Sequence, residues 1–337
     1  MRVALFGLTP FERDAFAATP PPAGVEASDA GASLTLATVA RAARHEAVCC
    51  GLDEPLDAAL LEALAALGVR HVALRGSGYN TVDLDAAGRV AMGVSHVPDF
   101  SPHAVAEHTL ALILTLARDT HLAWASVREG QLAAGSAGLL LAGATAGVVG
   151  AGRIGRLVAK MLLALECRVL VADPAPQPEL AWAGARVVGL ETLLRKSDLV
   201  TLHCPLGAAT HHLMDAQRVG WMKRGALLVN TGRGALLDLP AVLAAVEDGR
   251  IGRLGMDVYE QVGPMYRGAT GPELIDAALV ARLARMPNVL VTNHQGYLTR
   301  STLAQIAQAT WAALDAVARG RRPLHAAPLP PAPAATG

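Results

Sequence analysis

Three short clusters in this chain combine residue types and spacing that can do chemistry, and each follows an apolar run. The first is Gly150-Ala151-Gly152-Arg153-Ile154-Gly155, which follows AGVV and opens the segment RIGRLVAKMLLAL. Glycines at this spacing permit a tight turn and let a pyrophosphate approach backbone N–H groups at a helix start. A lone GxGxxG is a weak signal. Here RVLVAD follows it, placing Asp173 eighteen residues after Gly155 at the end of the next apolar run. A carboxylate there can hydrogen-bond the adenosine ribose hydroxyls and repels a 2′-phosphate. The pair points to NAD, not NADP.

The second cluster is Val229-Asn230-Thr231-Gly232-Arg233-Gly234, at the end of ALLVNT. Arginine beside glycine at a strand's C-terminal edge sits where doubly wound folds bind ligands. Its planar fork suits a carboxylate, held by two parallel hydrogen bonds. Alone, such an arginine is more often a surface salt-bridge partner; its place among cofactor motifs reverses that preference. The third is Asn293-His294-Gln295-Gly296-Tyr297, after NVLVT. A histidine there can give a proton to a ketone, because its pKa lies near neutrality. The other ten histidines, among them His103, His108, His121, His211 and His212, read as structural or surface residues. His211-His212 has no carboxylate or cysteine at ligand spacing, so no metal is expected.

These clusters need strands to carry them. VALFGL, EAVCCGL and HVALRGS read as strands and LDAALLEALAALG as a helix ending at Gly68. SPHAVAEHTLALILTLARDTH opens with Ser101 as a cap and Pro102 at the first helical position, and reads as one long connector helix. From about Ala146 a second series follows: AGVVG, RVLVAD, LVTLHC, ALLVNT, GRLGMDV and NVLVTN, separated by helical segments. The alternation implies parallel βαβ units. QIAQATWAALDAVARG is a last helix, and the Pro/Ala-rich tail reads as flexible.

Composition excludes several function classes. With 337 residues, 52% hydrophobic and 17% charged, the chain can bury two cores. A formal net charge of zero with no polybasic run argues against nucleic acid. Cys49, Cys50, Cys167 and Cys204 show no metal or disulfide spacing and suit a reducing, cytoplasmic setting. From Gly130 to Gly152 no charged residue occurs, but five internal glycines and the fingerprint favour a buried strand over a membrane span.

Together these residues resemble the D-isomer-specific 2-hydroxyacid dehydrogenases over nearly the whole chain. LRGSGYNTVDLDAA, VPDFSPHAVAEH, GAGRIG, LHCPL, VNTGRGAL, GRLGMDVYE and TNHQGYLT occur in family order. HQGYLT and GMDVYE are similar to the D-lactate dehydrogenase branch. The resemblance implies two doubly wound, Rossmann-like parallel-sheet domains with an active-site cleft between them. The substrate domain would be discontinuous, residues 1–100 and 299–325, around an NAD domain of 101–298, with a flexible tail at 326–337. It also implies a homodimer, and the buried-strand reading of residues 130–152 leaves no membrane partner expected.

Carried over by position, Arg233 would clamp the substrate carboxylate, helped by the N–H groups of Ser77 and Gly78. His294 would protonate the keto oxygen, and Asp257 would hold the nicotinamide side of NAD. Gly150, Gly152, Arg153, Ile154, Gly155, Asp173, Cys204, Pro205, Thr210, Thr231 and Gly232 match other cofactor positions. Tyr297 falls where the D-lactate branch places an aromatic near the substrate. Two positions depart from the family. The glutamate that pairs with the histidine is replaced by Val262, Glu260 matching a different family acid, and the tyrosine of VPxYSP is Phe100.

The resemblance implies NAD-dependent, reversible reduction of a small 2-keto acid, with pyruvate and D-lactate first in line. Both departures leave room for a bulkier or unusual acid, or for an NAD-binding regulator with little turnover. Without the glutamate, an unperturbed histidine of pKa about 6.5 would be mostly neutral above pH 7, so reduction should decline from a lower pH than in glutamate-containing relatives. Asp173 yields a direct expectation for the coenzyme. Specificity constants should strongly favour NADH over NADPH, and equal values would remove Asp173 from its role.

Overall fold

The apolar runs of the N-terminal hundred residues form strands because both of their faces are buried. They do so in a computed structural model that describes all residues except 53, 80, 98–100, 132–136, 176–183, 260–276 and 330–337. Strands β1 (Arg2–Leu5), β2 (Glu26–Asp29), β3 (Ala47–Cys50), β4 (His71–Leu74) and β5 (Gly93–His96) make one sheet in the order β2-β1-β3-β4-β5. Every pairing in it is parallel. Along β3, Val48 and Cys50 enter a core with Leu60, Leu61 and Leu64 of helix α2 (Ala58–Ala66). Ala47 and Cys49 face the opposite core, where Phe16 of α1 (Pro10–Ala18) meets Trp311 of the closing helix Arg300–Ala318. A short α3 (Leu84–Arg89) leads into β5.

The chain divides into two compact units. This first one holds the described residues of 1–100 and 298–337, and the second those of 101–297. Strands β2 and β5 are additions to the sequence reading: β2 is exposed along its length and GVSH of β5 is short and half polar, so neither shows an apolar run. The tail expected to be flexible from residue 326 is anchored at its start. Ala326 bridges to Ser95, and the Ala327 N–H donates to the Val94 carbonyl at 2.9 Å. The open edge of β5 offers unpaired backbone groups, and the tail satisfies some of them.

The second unit is a seven-stranded parallel sheet. Its strands β6 (Thr145–Val149), β7 (Arg168–Ala172), β8 (Arg186–Val187), β9 (Leu199–Leu202), β10 (Ala226–Asn230), β11 (Ile251–Met256) and β12 (Val289–Val291) run in the order β12-β11-β10-β9-β6-β7-β8. The order reverses between β6 and β9, the switch point where doubly wound sheets open a crevice at their C-terminal edge. The uncharged stretch before the fingerprint delivers β6, all five residues of which are buried. Among the described residues no helix is long and apolar enough to cross a membrane.

The connector expected as one helix is two. Helix α4 (Pro102–Ala117), capped by the Ser101 hydroxyl, stops before Asp119, which is left-handed at φ 50°, and α5 (Thr120–Arg128) follows. The break is held from outside the helix. The Asp119 carboxylate accepts from Arg253 Nε at 3.0 Å and Nη2 at 2.7 Å, a two-pronged pair from β11.

In the first unit a buried cluster fixes the loop after β4. Thr9 and Glu12 form a capping box at the start of α1, and Glu12 Oε1 also accepts from Arg75 Nε at 3.1 Å. Arg75 further donates to the carbonyls of Cys49 and Gly7. Its side chain is fully buried, so the guanidinium must be compensated where it lies. Burial opposes its charge, but Cys49 and the carboxylates of Glu12 and Glu54 outweigh that and raise its pKa. Arg75 immediately precedes Gly76-Ser77-Gly78. Replacing it, as Arg75→Leu, strands buried carboxylates and should cost about 3–5 kcal/mol. Urea denaturation of the full chain checks this; a loss below about 1 kcal/mol would show the cluster to be dispensable.

Candidate active site

The fingerprint glycines are required by close approach. Gly150 is left-handed at φ 89°, and a Cβ there would run into the backbone of Cys204 after β9. A Cβ on Gly155 would strike the Gly150 carbonyl oxygen, so α6 (Arg153–Ala164) could not seat against the turn. Gly152 faces open space and serves as the N-cap, with no side chain capping the helix. The first N–H groups of α6 and its positive dipole end are thus offered to an anion. Arg153 is exposed and Ile154 half-buried against the core.

Asp173 stands just past β7 and does more than the sequence suggested. One carboxylate oxygen accepts from the Ala151 N–H at 2.6 Å and the other from the Ala175 N–H at 2.7 Å. The carboxylate therefore braces the glycine turn, and each oxygen keeps a second lone pair for a ribose hydroxyl. Beyond β9, Thr210 accepts from the Gly207 N–H and donates to the Pro205 carbonyl, closing that loop on itself. The half-buried Cys204 thiol is raised in pKa by burial. The cradle, the uncapped helix start and the acceptor at the end of β7 fit a dinucleotide.

The ends of β10, β11 and β12 lie side by side in register. At the end of β10, Asn230 Nδ2 donates to the Arg233 carbonyl and its Oδ1 accepts from the Gly232 N–H. This small ring shapes the turn and leaves the Arg233 side chain exposed. Thr231 is buried, its hydroxyl 2.8 Å from that of Thr109 on α4. Asp257 directly follows β11 and is 1% exposed.

Three consecutive N–H groups past β12 converge on Asp257. His294 N–H donates to its carbonyl at 2.8 Å, Gln295 N–H to Oδ1 at 2.8 Å and Gly296 N–H to Oδ2 at 2.8 Å. The Thr292 hydroxyl donates to Oδ1 at 2.6 Å, and His108 Nε2 of α4 stands 3.3 Å from the same oxygen. Burial works to raise the Asp257 pKa, but hydrogen bonds from His108, Thr292, Gln295 and Gly296 outweigh it and bring it to about 2. This nest holds His294 at φ 50°, a conformation that costs a non-glycine residue on the order of 1 kcal/mol or more. The imidazole is exposed, and Tyr297 meets it edge-on with ring centroids 5.8 Å apart.

The second unit thus gathers Arg233, Asp257, His294 and Tyr297 on one sheet edge with the dinucleotide cradle. Ser77 and Gly78 belong to the first unit, in the loop after β4; among the described residues neither N–H has an acceptor. Phe100, Glu260 and Val262 lie outside the described residues. His108, Thr109 and Thr292 were missed as members of the site. Only the spacing of Val105, His108 and Thr109 on one face of α4 hinted at it.

The family described as D-isomer specific 2-hydroxyacid dehydrogenase, NAD binding domain, matches residues 110–296. The chain is 40% identical over 319 residues to 2-hydroxyacid dehydrogenase A of Aspergillus oryzae, covering 94% of this chain and 92% of that protein. It belongs to the D-isomer-specific 2-hydroxyacid dehydrogenases. A D-lactate dehydrogenase of Curvularia clavata, kk1H, is 42% identical over 288 residues, 85% of this chain and 82% of the relative. The solved apo-structure of D-lactate dehydrogenase from Escherichia coli superposes with a TM-score of 0.89 at 34% identity, covering 97% of this chain and 99% of that one. This dehydrogenase is therefore an NAD-dependent oxidoreductase of 2-hydroxy acids built from two Rossmann-like regions.

The Asp257 nest carries its own pH signature. A carboxylate lowered from 3.8 to about 2 stabilises the fold fully above pH 4, and the contribution is lost as pH falls toward 2. Asp257→Asn should cost about 2 kcal/mol at pH 7, and the gap to wild type should shrink at pH 3. Urea titrations at both pH values measure it, and a gap that stays constant would mean that Asp257 is not held ionised by this nest.

Proposed function

We propose that this dehydrogenase reduces a small 2-keto acid, pyruvate first, to the D-2-hydroxy acid. The observation that carries the reading is the exposed His294, held left-handed by the nest on the same sheet edge as the exposed Arg233. Arg233 binds the substrate carboxylate through its fork, with the N–H groups of Ser77 and Gly78 as further donors. His294 gives its proton to the keto oxygen as the carbonyl carbon is reduced. Tyr297 walls the imidazole on its edge. Bound NADH supplies the hydride, and its holders are Gly150, Gly152, Arg153, Ile154, Gly155, Asp173, Cys204, Pro205, Thr210, Thr231, Gly232 and Asp257. The names of the Curvularia and Escherichia relatives support lactate as the product.

A bulkier or otherwise unusual keto acid is favoured by one sequence observation, the replacement of two polar family groups by Phe100 and Val262. Assembly as a cytoplasmic homodimer is also proposed. In its support, α5 buries none of its residues and shows Trp124 at 63% and Val127 at 61% exposure.

NADH oxidation across a panel of 2-keto acids tests the reading, and no turnover with any member would overturn it. On the best acid, Arg233→Lys should raise KM about tenfold or more while NADH affinity stays near wild type. His294→Asn should lower kcat by roughly a hundredfold or more. Unchanged kinetics in either variant would remove that residue from its role.

A further inference from the structure

We propose that His108 is a positioning residue of this dehydrogenase, whose Nε2–H holds the loop that carries His294. The proposal rests on the reading of His294 as the proton donor. Nothing in the family resemblance gives His108 a role, and its helix was read as a connector.

The hydrogen-bond inventory fixes which atom of His108 bears a proton. Its Nε2 lies 3.1 Å from Thr292 Oγ1 and 3.3 Å from Asp257 Oδ1. Thr292 has one hydroxyl hydrogen, and it goes to Asp257 Oδ1 at 2.6 Å. Both atoms facing Nε2 are therefore acceptors, since an ionised carboxylate has no hydrogen to give. A bare Nε2 would set its lone pair against theirs, so this nitrogen is the donor. The Asp257 side chain is 2% exposed and that of His108 22%, so solvent has little access to stand in for the contact.

The neighbouring residue does the same for the other loop. Thr109 Oγ1 donates to the Val105 carbonyl at 2.7 Å, which leaves it to accept from Thr231 Oγ1 at 2.8 Å. Thr231 lies two residues before Arg233. One turn of α4 thus grips the ends of both β10 and β12. Of the two grips, His108 acts on the strained one. Released from Nε2–H, the Asp257 carboxylate can rotate, and the Gln295 and Gly296 N–H groups that hold His294 left-handed lose their fixed acceptors.

Variants of equal length separate donor chemistry from shape. His108→Gln keeps an N–H near the Nε2 position, whereas His108→Glu puts an acceptor there and His108→Met removes all hydrogen bonding. On the best keto acid, the Gln variant should stay within about threefold of wild-type kcat. The Glu and Met variants should lose about tenfold to a hundredfold in kcat, with keto-acid KM changed less than about twofold, because Arg233 sits on the other loop. In the protein without cofactor, amide exchange at Gln295 and Gly296 should accelerate in Glu and Met but not in Gln. If the Glu variant does not fold, the Gln and Met pair carries the comparison alone. Equal kcat and equal exchange in all three variants would overturn the proposal, as would a change confined to KM. His294→Asn, run beside them, tells the two failures apart. If it keeps wild-type kcat, the proton-donor reading has failed; if it loses kcat while the His108 variants do not, only the role of His108 has.

Discussion

The carboxylate of Asp257 is the fixed point of this site. A buried anion is costly unless donors surround it, and here they arrive from two elements: the loop after β12, through the Thr292 hydroxyl and two N–H groups, and helix α4. The cost of burial is what makes the arrangement specific. Any shift of the loop leaves a charge without partners, so the loop has one favourable geometry, and His294 takes its left-handed backbone from that geometry. The successive N–H groups of Gln295 and Gly296 behave as a small anion-binding concavity whose anion is part of the protein, while the His294 N–H holds the Asp257 main-chain carbonyl.

The rest of the second unit serves to bring such loops to one edge. A parallel sheet delivers every strand end to the same side, and strands about 4.8 Å apart set Arg233, Asp257 and His294 in a row without any of them being sequence neighbours. The glycine turn and Asp173 lie on the β6–β7 side of the switch, and the loops that carry Arg233, Asp257 and His294 on the β9–β12 side. Close approach is the second requirement, met at Gly150 and Gly155, where any larger residue would push β9 and α6 off the turn. The first unit solves an analogous problem by other means, locking the start of the Gly76-Ser77-Gly78 loop with a buried guanidinium.

How much of this was legible in the sequence follows from the range of each interaction. The fingerprint, Asp173, Arg233 and His294 stand at strand ends marked by apolar runs and turn residues, which are local signals. His108 belongs to the same site through a partner 184 residues away, and its own helix offers no more than its spacing with Val105 and Thr109. The break between α4 and α5 hid for the same reason, since Arg253 holds Asp119 across 134 residues. A local signal was overlooked as well: Thr9 followed by Pro10 and then Glu12 is a helix-start pattern, and α1 begins there. Strands β2 and β8 escaped because two exposed edge segments carry no periodic apolar pattern.

The loop after β12 is fastened by its main chain. Gln295 contributes an N–H to Asp257, and any residue but proline can contribute the same. Position 296 has no such latitude, because a Cβ there would press within 3.0 Å of Asp257 Oδ2. Substitution is therefore free of this constraint at 295, whereas at 296 it requires the Asp257 carboxylate to give way. The backbone that aims His294 thus does not depend on the side chain at 295, and changes there can accumulate while the loop keeps its shape.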